Sequence, residues 1–309
     1  MTFRKTLPLI ALLTACDDKP APVAPATAAS PPSAPAPSPT PAAAAASNPE
    51  KAAAPERKIF WTDELLHTEI KHYNPAYEGG AQFQIDNGRP VVVVLAGQKV
   101  DNLRCLEGIP LMAVDLSDTG VGDLSPLKGA PLVEVMLERT KVTNLAPLQG
   151  APIEKLYLSG TPVRDLSPLA GMPLMELNLL GTQVVDLSPL AQSKLQMLWL
   201  TGCPVENLAP LHSVPLVSLT LHRTQVRDLS PLSGTALQRL HIAETHVTDL
   251  SPLKGVPLTR LVFTPANIKA GLDVARALPL QEIGTRFDDD GKDLQSPEAF
   301  WAAQPAPAK

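Results

Sequence analysis

A basic surplus is missing from this sequence: 26 lysines and arginines stand against 31 acidic residues, a formal net charge of -5. Binding to DNA or RNA calls for a strongly basic face that neutralises phosphates, so a nucleic-acid partner is not expected. The apolar run from Leu7 to Ala15 is too short to span a bilayer, which takes about 20 residues. Catalytic signatures are missing as well. The chain has no Gly-rich loop, no catalytic-loop His-Arg-Asp and no Asp-Phe-Gly, which removes a kinase, and Gly120-x-Gly122 is followed by Ser125 where a third glycine is needed. The stretch His241 to His246 misses the His-x-x-Glu-His zinc pattern by one residue. Asp288-Asp289-Asp290-Gly291 is preceded by Arg286 where an EF-hand needs an acid, and reads as a solvated turn. No acid, base and nucleophile converge, so neither an enzyme nor a cofactor is expected.

What the chain has in abundance is repetition. Asp-Leu-Ser-Pro-Leu begins at Asp123 and returns at Asp165, Asp186, Asp228 and Asp249; Asn144 and Asn207 open Asn-Leu-Ala-Pro-Leu, and Asn102 opens Asn-Leu-Arg-Cys-Leu. The starts fall every 21 residues from 102 to 249. A fixed period of this length marks a solenoid, and leucines at these offsets select the leucine-rich type. The expected fold is an α/β solenoid: a right-handed leucine-rich-repeat coil with a parallel concave sheet, short turn or 3-10 segments on the convex side and helical caps at both ends.

One unit shows the physics. Leu177 and Leu179 alternate at period 2 and point inward from a short strand, leaving Glu176, Asn178 and Leu180 outward. Leu174, Val184, Leu187 and Leu190 complete the inward set. A lone coil buries too little to meet its ordering cost, which is why the unit is stacked. Thr119, Thr140, Thr161, Thr182, Thr224 and Thr245 form a buried ladder whose hydroxyls can satisfy turn backbone. The Asp of each pentapeptide suits an Asx-turn, and its replacement by Asn at 102, 144 and 207 argues for hydrogen bonding over charge, against a metal row. Cys105 and Cys203 lie 98 residues apart, too many coils for a disulfide, and read as unpaired core thiols.

The ends differ from the coils. Arg4 and Lys5 precede the apolar run, which ends in Leu13-Thr14-Ala15-Cys16; this resembles the lipobox of bacterial lipoproteins and implies cleavage before Cys16 and lipid on its sulfur. Asp17 resembles an inner-membrane retention signal of enteric-type bacteria. The divisions are a signal peptide (1–15), an Ala/Pro-rich disordered tether (16–55), an N-terminal cap (56–90), the solenoid (91–285) and a C-terminal cap and tail (286–309). A helix over 59–73 capped by Thr62 should cover the first coil, with Phe83 and Ile85 extending the cap. Strands at Val91 to Leu95 and Leu280 to Ile283 bring the expected total to ten, the last step carrying one inserted residue. Asn267 is placed as the cap of a helix bearing Ile268, Leu272, Ala275 and Leu278, and a helix opening at Ser296-Pro297-Glu298 should set Phe300 and Trp301 over the far end.

The pentapeptide, the ending Phe263-Thr264-Pro265-Ala266-Asn267-Ile268, Ile283-Gly284-Thr285 and Phe300-Trp301 together resemble leucine-rich modules attached to certain bacterial serine/threonine kinase-like proteins. They are also similar, more loosely, to internalin-type repeats. The resemblance runs from about Asn74 to Trp301. It implies an interaction module without catalytic residues. Departures are Cys203 in the Thr slot, Cys105 for Pro, and Lys194 and Ala236 for Pro.

Function then rests on the outward face. Its central column should be Val94, Asp115, Met136, Tyr157, Asn178, Trp199, Thr220, His241 and Val262. Tyr157 and Trp199, with Leu180 and Met197, form an apolar patch suited to a partner. Asp115, Asp118, Glu134 and Glu138 make one half acidic; His222, Arg223, Arg239, Arg260 and Arg286 make the other basic, a gradient that orients a protein ligand. His222 and His241 are close enough to raise the question of a metal, but Arg223 and Arg239 would repel a cation and none is expected. The expectation is a monomeric, lipid-anchored, periplasm-facing envelope protein, inner membrane favoured by Asp17, that binds an unidentified protein or peptide. The alternative is an envelope polymer or glycan, with Tyr157 and Trp199 stacking on sugars.

Overall fold

The computed structural model describes residues 60–286 and 293–303. The signal segment, Cys16, Asp17, the Ala/Pro stretch and the Asp288-Asp289-Asp290-Gly291 turn lie outside the described residues. The chain divides into two units, Met1–Ile59 and Phe60–Lys309, and the second contains everything described below.

Eleven strands among the described residues form one sheet in chain order: β1 Gln82–Asp86, β2 Arg89–Val94, β3 Ala113–Asp115, β4 Glu134–Met136, β5 Lys155–Tyr157, β6 Glu176–Asn178, β7 Met197–Trp199, β8 Ser218–Thr220, β9 Arg239–His241, β10 Arg260–Val262 and β11 Glu282–Gly284. From β2 onward pairing is parallel at an offset of 21, as in Leu177↔Leu198, and the last step is 22, Leu261↔Ile283. The ten expected strands are thus present. The inward set Leu174, Leu177, Leu179, Val184, Leu187 and Leu190 is fully buried.

The convex side is built by 3-10 turns such as Ser167–Leu169. Asp165 Oδ1 accepts from Ser167 N at 2.8 Å, and Asn144 Oδ1 accepts from Ala146 N at 2.9 Å, the same Asx geometry with and without charge. Thr161 Oγ1 donates to Leu158 O at 2.7 Å, one rung of the buried ladder. Cys203 in that slot donates from Sγ to Leu179 O of the preceding coil at 3.0 Å. Cys105 and Cys203 are both free and buried. Coil-to-coil variation is written locally. Lys128 (φ -60°, ψ 127°) followed by Gly129 (φ 80°) makes a type II turn, which requires glycine third; where Gln192 stands instead, Ala191 turns back to ψ -23°.

The N-terminal cap is helix α1, Asp63–Tyr73, with Thr62 Oγ1 accepting from Leu65 N at 3.2 Å and Leu66 and Ile70 buried. It starts four residues later than the pattern over 59–73 suggests. The structure adds a strand. Asn87 and Gly88 (φ 49° and 74°) make a two-residue hairpin turn with both residues left-handed, and β1 folds back antiparallel on β2, carrying Phe83 and Ile85. Pro90, which has no N–H to give, sits beside the register shift between Gln84 and Ile85.

At the far end the expected role of Asn267 is corrected. Pro265–Asn267 form a 3-10 turn, Asn267 Nδ2 donates to Thr245 O at 3.3 Å, and helix α2, Leu272–Ala277, starts after Gly271 at φ 79°. A Cβ on Gly271 would lie 2.3 Å from Ser251 N, so only glycine lets the chain pass this close before the helix. Helix α3, Pro297–Ala303, buries Phe300 against Phe263 and Trp301, as expected.

Candidate binding surface

The register aligns the central outward column as expected, from Val94 through Asp115, Met136, Tyr157, Asn178, Trp199, Thr220 and His241 to Val262. Met136, Tyr157, Asn178, Leu180, Met197, Trp199, Arg239, His241 and Arg260 are all half-buried, and Arg223 is exposed. His222 departs from the expected surface position. It is 4 % exposed, because its Nδ1–H donates to Ala243 O at 3.0 Å and holds the ring down on the next coil. Thr220, between Trp199 and His241, and Val262, beside His241, are covered too, small side chains shaded by larger ones a strand spacing away.

The aromatic patch has a polar foundation that the repeat pattern leaves unread. Tyr157 O–H donates to Glu176 Oε2 at 2.7 Å, and Lys155 Nζ lies 3.8 Å from the same carboxylate. Burial and this carboxylate push the phenol well above its ordinary range. The partner sits 19 residues on, one strand over and two residues back, on the same outward side of the sheet, so the period puts it within reach.

Charge is segregated. At the acidic end, burial raises both Glu134 and Glu138 above the usual carboxylate range, and Asp115 adds repulsion to each. At the basic end Arg239 and Arg260 are directly paired in register; Arg260 is bridged by Glu282, while Arg239 makes no ion pair among the described residues. Two residues along β9 from Arg239, His241 is pushed down to about 4, first by burial and then by Arg260, Arg239 and His222.

That shift predicts a pH dependence. The ring is held neutral in the folded chain, so on acidification the unfolded chain takes up its proton first, near pH 6.5. The contribution is complete above that value and is lost as pH falls toward 4, on the order of 3 kcal/mol for this one ring. Glu134 and Glu138, raised in the fold, act in the opposite sense. Comparing wild type with His241→Gln isolates the histidine: the variant should lose less stability between pH 7 and 4.5, and identical losses would refute this account.

One rim of the face is a line of left-handed residues where each strand exits. Glycine takes the place at Gly160, Gly181 and Gly202, whereas Asp118, Arg139, Arg223 and Glu244 hold φ between 55° and 59°. The four are paired across coils: Arg139 with Asp118, and Arg223 Nε donating to Glu244 at 2.8 Å. Left-handed strain of about 1 kcal/mol is comparable with an exposed ion pair. Arg139→Gly and Arg223→Gly should therefore each change unfolding free energy by less than about 1 kcal/mol, measured by denaturant titration.

No family model matches the chain, and no curated protein matches it. Solved structures do. An internalin (inlF) of Listeria monocytogenes is 26% identical, with a TM-score of 0.58, over 78% of this chain and 75% of that one. An internalin C2 (inlC2) of the same organism is 25% identical, with a TM-score of 0.55, over 67% of this chain and 95% of that one. The fold is a leucine-rich-repeat solenoid.

Proposed function

We propose that the protein is a non-catalytic binding module that offers its concave sheet to another protein in the bacterial envelope, held at a membrane by lipid on Cys16. The observation that carries this reading is the half-buried group Tyr157, Leu180, Met197 and Trp199, bounded by carboxylates on one side and arginines on the other. Amphipathic aromatics within a polar surround are the composition of binding hot spots. The likeness to two internalins is consistent with such a module. The lipobox-like Leu13-Thr14-Ala15-Cys16 supports the anchor, and Asp17 favours the inner membrane.

An aromatic photoreactive residue at position 199, which keeps a ring where the indole stands, tests the surface in the native cell, with a control at the exposed Ser167 on the convex side. A discrete protein adduct from position 199 alone is the expected result. Diffuse or equal labelling refutes it, and retention of the protein on isolated wall polymer would replace the protein ligand by a glycan. Labelled fatty acid should enter the wild-type chain and not Cys16→Ser.

A further inference from the structure

We infer that the concave face takes an extended peptide lying across the strands, along the solenoid axis, with a basic side chain at one end and an acidic one about seven residues away. This rests on reading the face as a protein-binding surface and names the form of the ligand.

Three observations converge. The face is narrow: each coil offers a strand of three residues, as in Met197–Trp199, roughly 10 Å at about 3.3 Å per residue, the width of one chain with its side chains. Lys155 stands in register between Glu134 and Glu176, and Glu282 bridges Arg260, but each end keeps charge that no ion pair takes up. Asp115 and Glu138 make no ion pair with a basic group at one end, and Arg239 makes none at the other, among the described residues. Arg239 opens β9, whereas Glu138 lies two residues past the end of β4; five strand steps of ~4.8 Å and about 13 Å sideways make an oblique path of about 27 Å, which an extended chain covers in about seven to eight residues. The stretch between holds Tyr157, Leu180, Met197 and Trp199 for apolar side chains, and Asn178, whose Oδ1 accepts from Leu180 N while its Nδ2 has no partner among the described residues. An amide donor in mid-face suits the free backbone carbonyls of an extended chain, which a helix would already have used. Burial is the first cause of the depressed His241 and of the raised Glu138; Arg260 and Arg239 add to the one, and Asp115 and Asp118 to the other.

Random twelve-residue peptides displayed on phage, selected against the immobilised full-length protein, test this. Enriched peptides should carry Lys or Arg and Asp or Glu six to eight positions apart with apolar residues between, in either direction. A synthetic copy should bind Arg239→Glu and Glu138→Lys at least tenfold more weakly and lose affinity as salt rises. Selection against Arg239→Glu should shift to peptides basic at both ends, an outcome that misfolding does not produce. No enrichment, enriched peptides without this spacing, or indifference to Arg239→Glu would overturn the inference. A discrete protein adduct at position 199 combined with a failed selection would keep the protein-binding surface and discard the extended peptide; retention on wall polymer with a failed selection would discard both.

Discussion

Trp199→Ala should lower the yield of the partner adduct, read from a photoreactive residue at position 178, by about thirtyfold when partner is limiting. Trp199 is half-buried at the centre of the face, flanked in its column by Asn178 and Thr220, with Met197 on the same strand. Truncating such an anchor typically costs at least ~2 kcal/mol of binding, equivalent to that factor. The fold should lose little, because the coil's own apolar filling is Leu198 and Leu200, both buried, and the indole lies on the opposite side of the strand. Trp199→Phe should recover most of the yield. Tyr157→Phe makes an informative contrast: its hydroxyl is already committed to Glu176, so removing it should weaken capture by less than about threefold. An unchanged yield with Trp199→Ala would remove the indole as anchor and leave the charged ends to account for binding.

Asn74→Ala should detach the N-terminal cap. Asn74 is 3 % exposed and makes four side-chain bonds: Oδ1 accepts from Asp101 N and Asn102 N, both at 3.0 Å, while Nδ2 donates to Ile70 O at 3.1 Å and Asn102 O at 2.9 Å. One amide therefore ties the end of α1 to the entry of the first repeat. Alanine would leave two part-buried N–H groups and the carbonyl of Asn102 without this partner, while Ile70 O keeps the Asn74 N–H; at about 1 to 3 kcal/mol for each buried group left unsatisfied, the loss is roughly 2 to 4 kcal/mol in all after relaxation. Asn74→Asp should be as damaging, since a carboxylate oxygen would face the carbonyls of Ile70 and Asn102. In a solenoid, where each coil touches its neighbours, the loss should stay local. Hydrogen exchange should show lost protection in α1 and unchanged protection in β6 and β7; uniform loss through the sheet would show that the cap is not a separable element.

The repeat made much of this architecture legible before any coordinates. Period 21 predicts the parallel register from β2 to β10, and the extra residue after Pro257 predicts the 22-residue step. Thr62, Phe300 and the threonine ladder were readable from local chemistry. The Asn87-Gly88 hairpin was also written in the chain, as two adjacent residues that tolerate left-handed backbone, although it lies outside the repeat. Asn267 misled because its type suits a helix cap, while the tight passage at Gly271 decides where α2 begins.

Which residues share a column, and which face each column takes, can be read from the repeat alone. Each coil meets its neighbours at a constant offset and strand side chains alternate, so arithmetic suffices. How those side chains are used follows from the packing of coil on coil: His222 folds down while Arg223 stays out, Glu176 holds Tyr157, and Asn74 clasps a backbone 28 residues away. These outcomes depend on the size, rotamer and hydrogen-bond needs of groups brought side by side by stacking, and a periodic pattern carries no record of them.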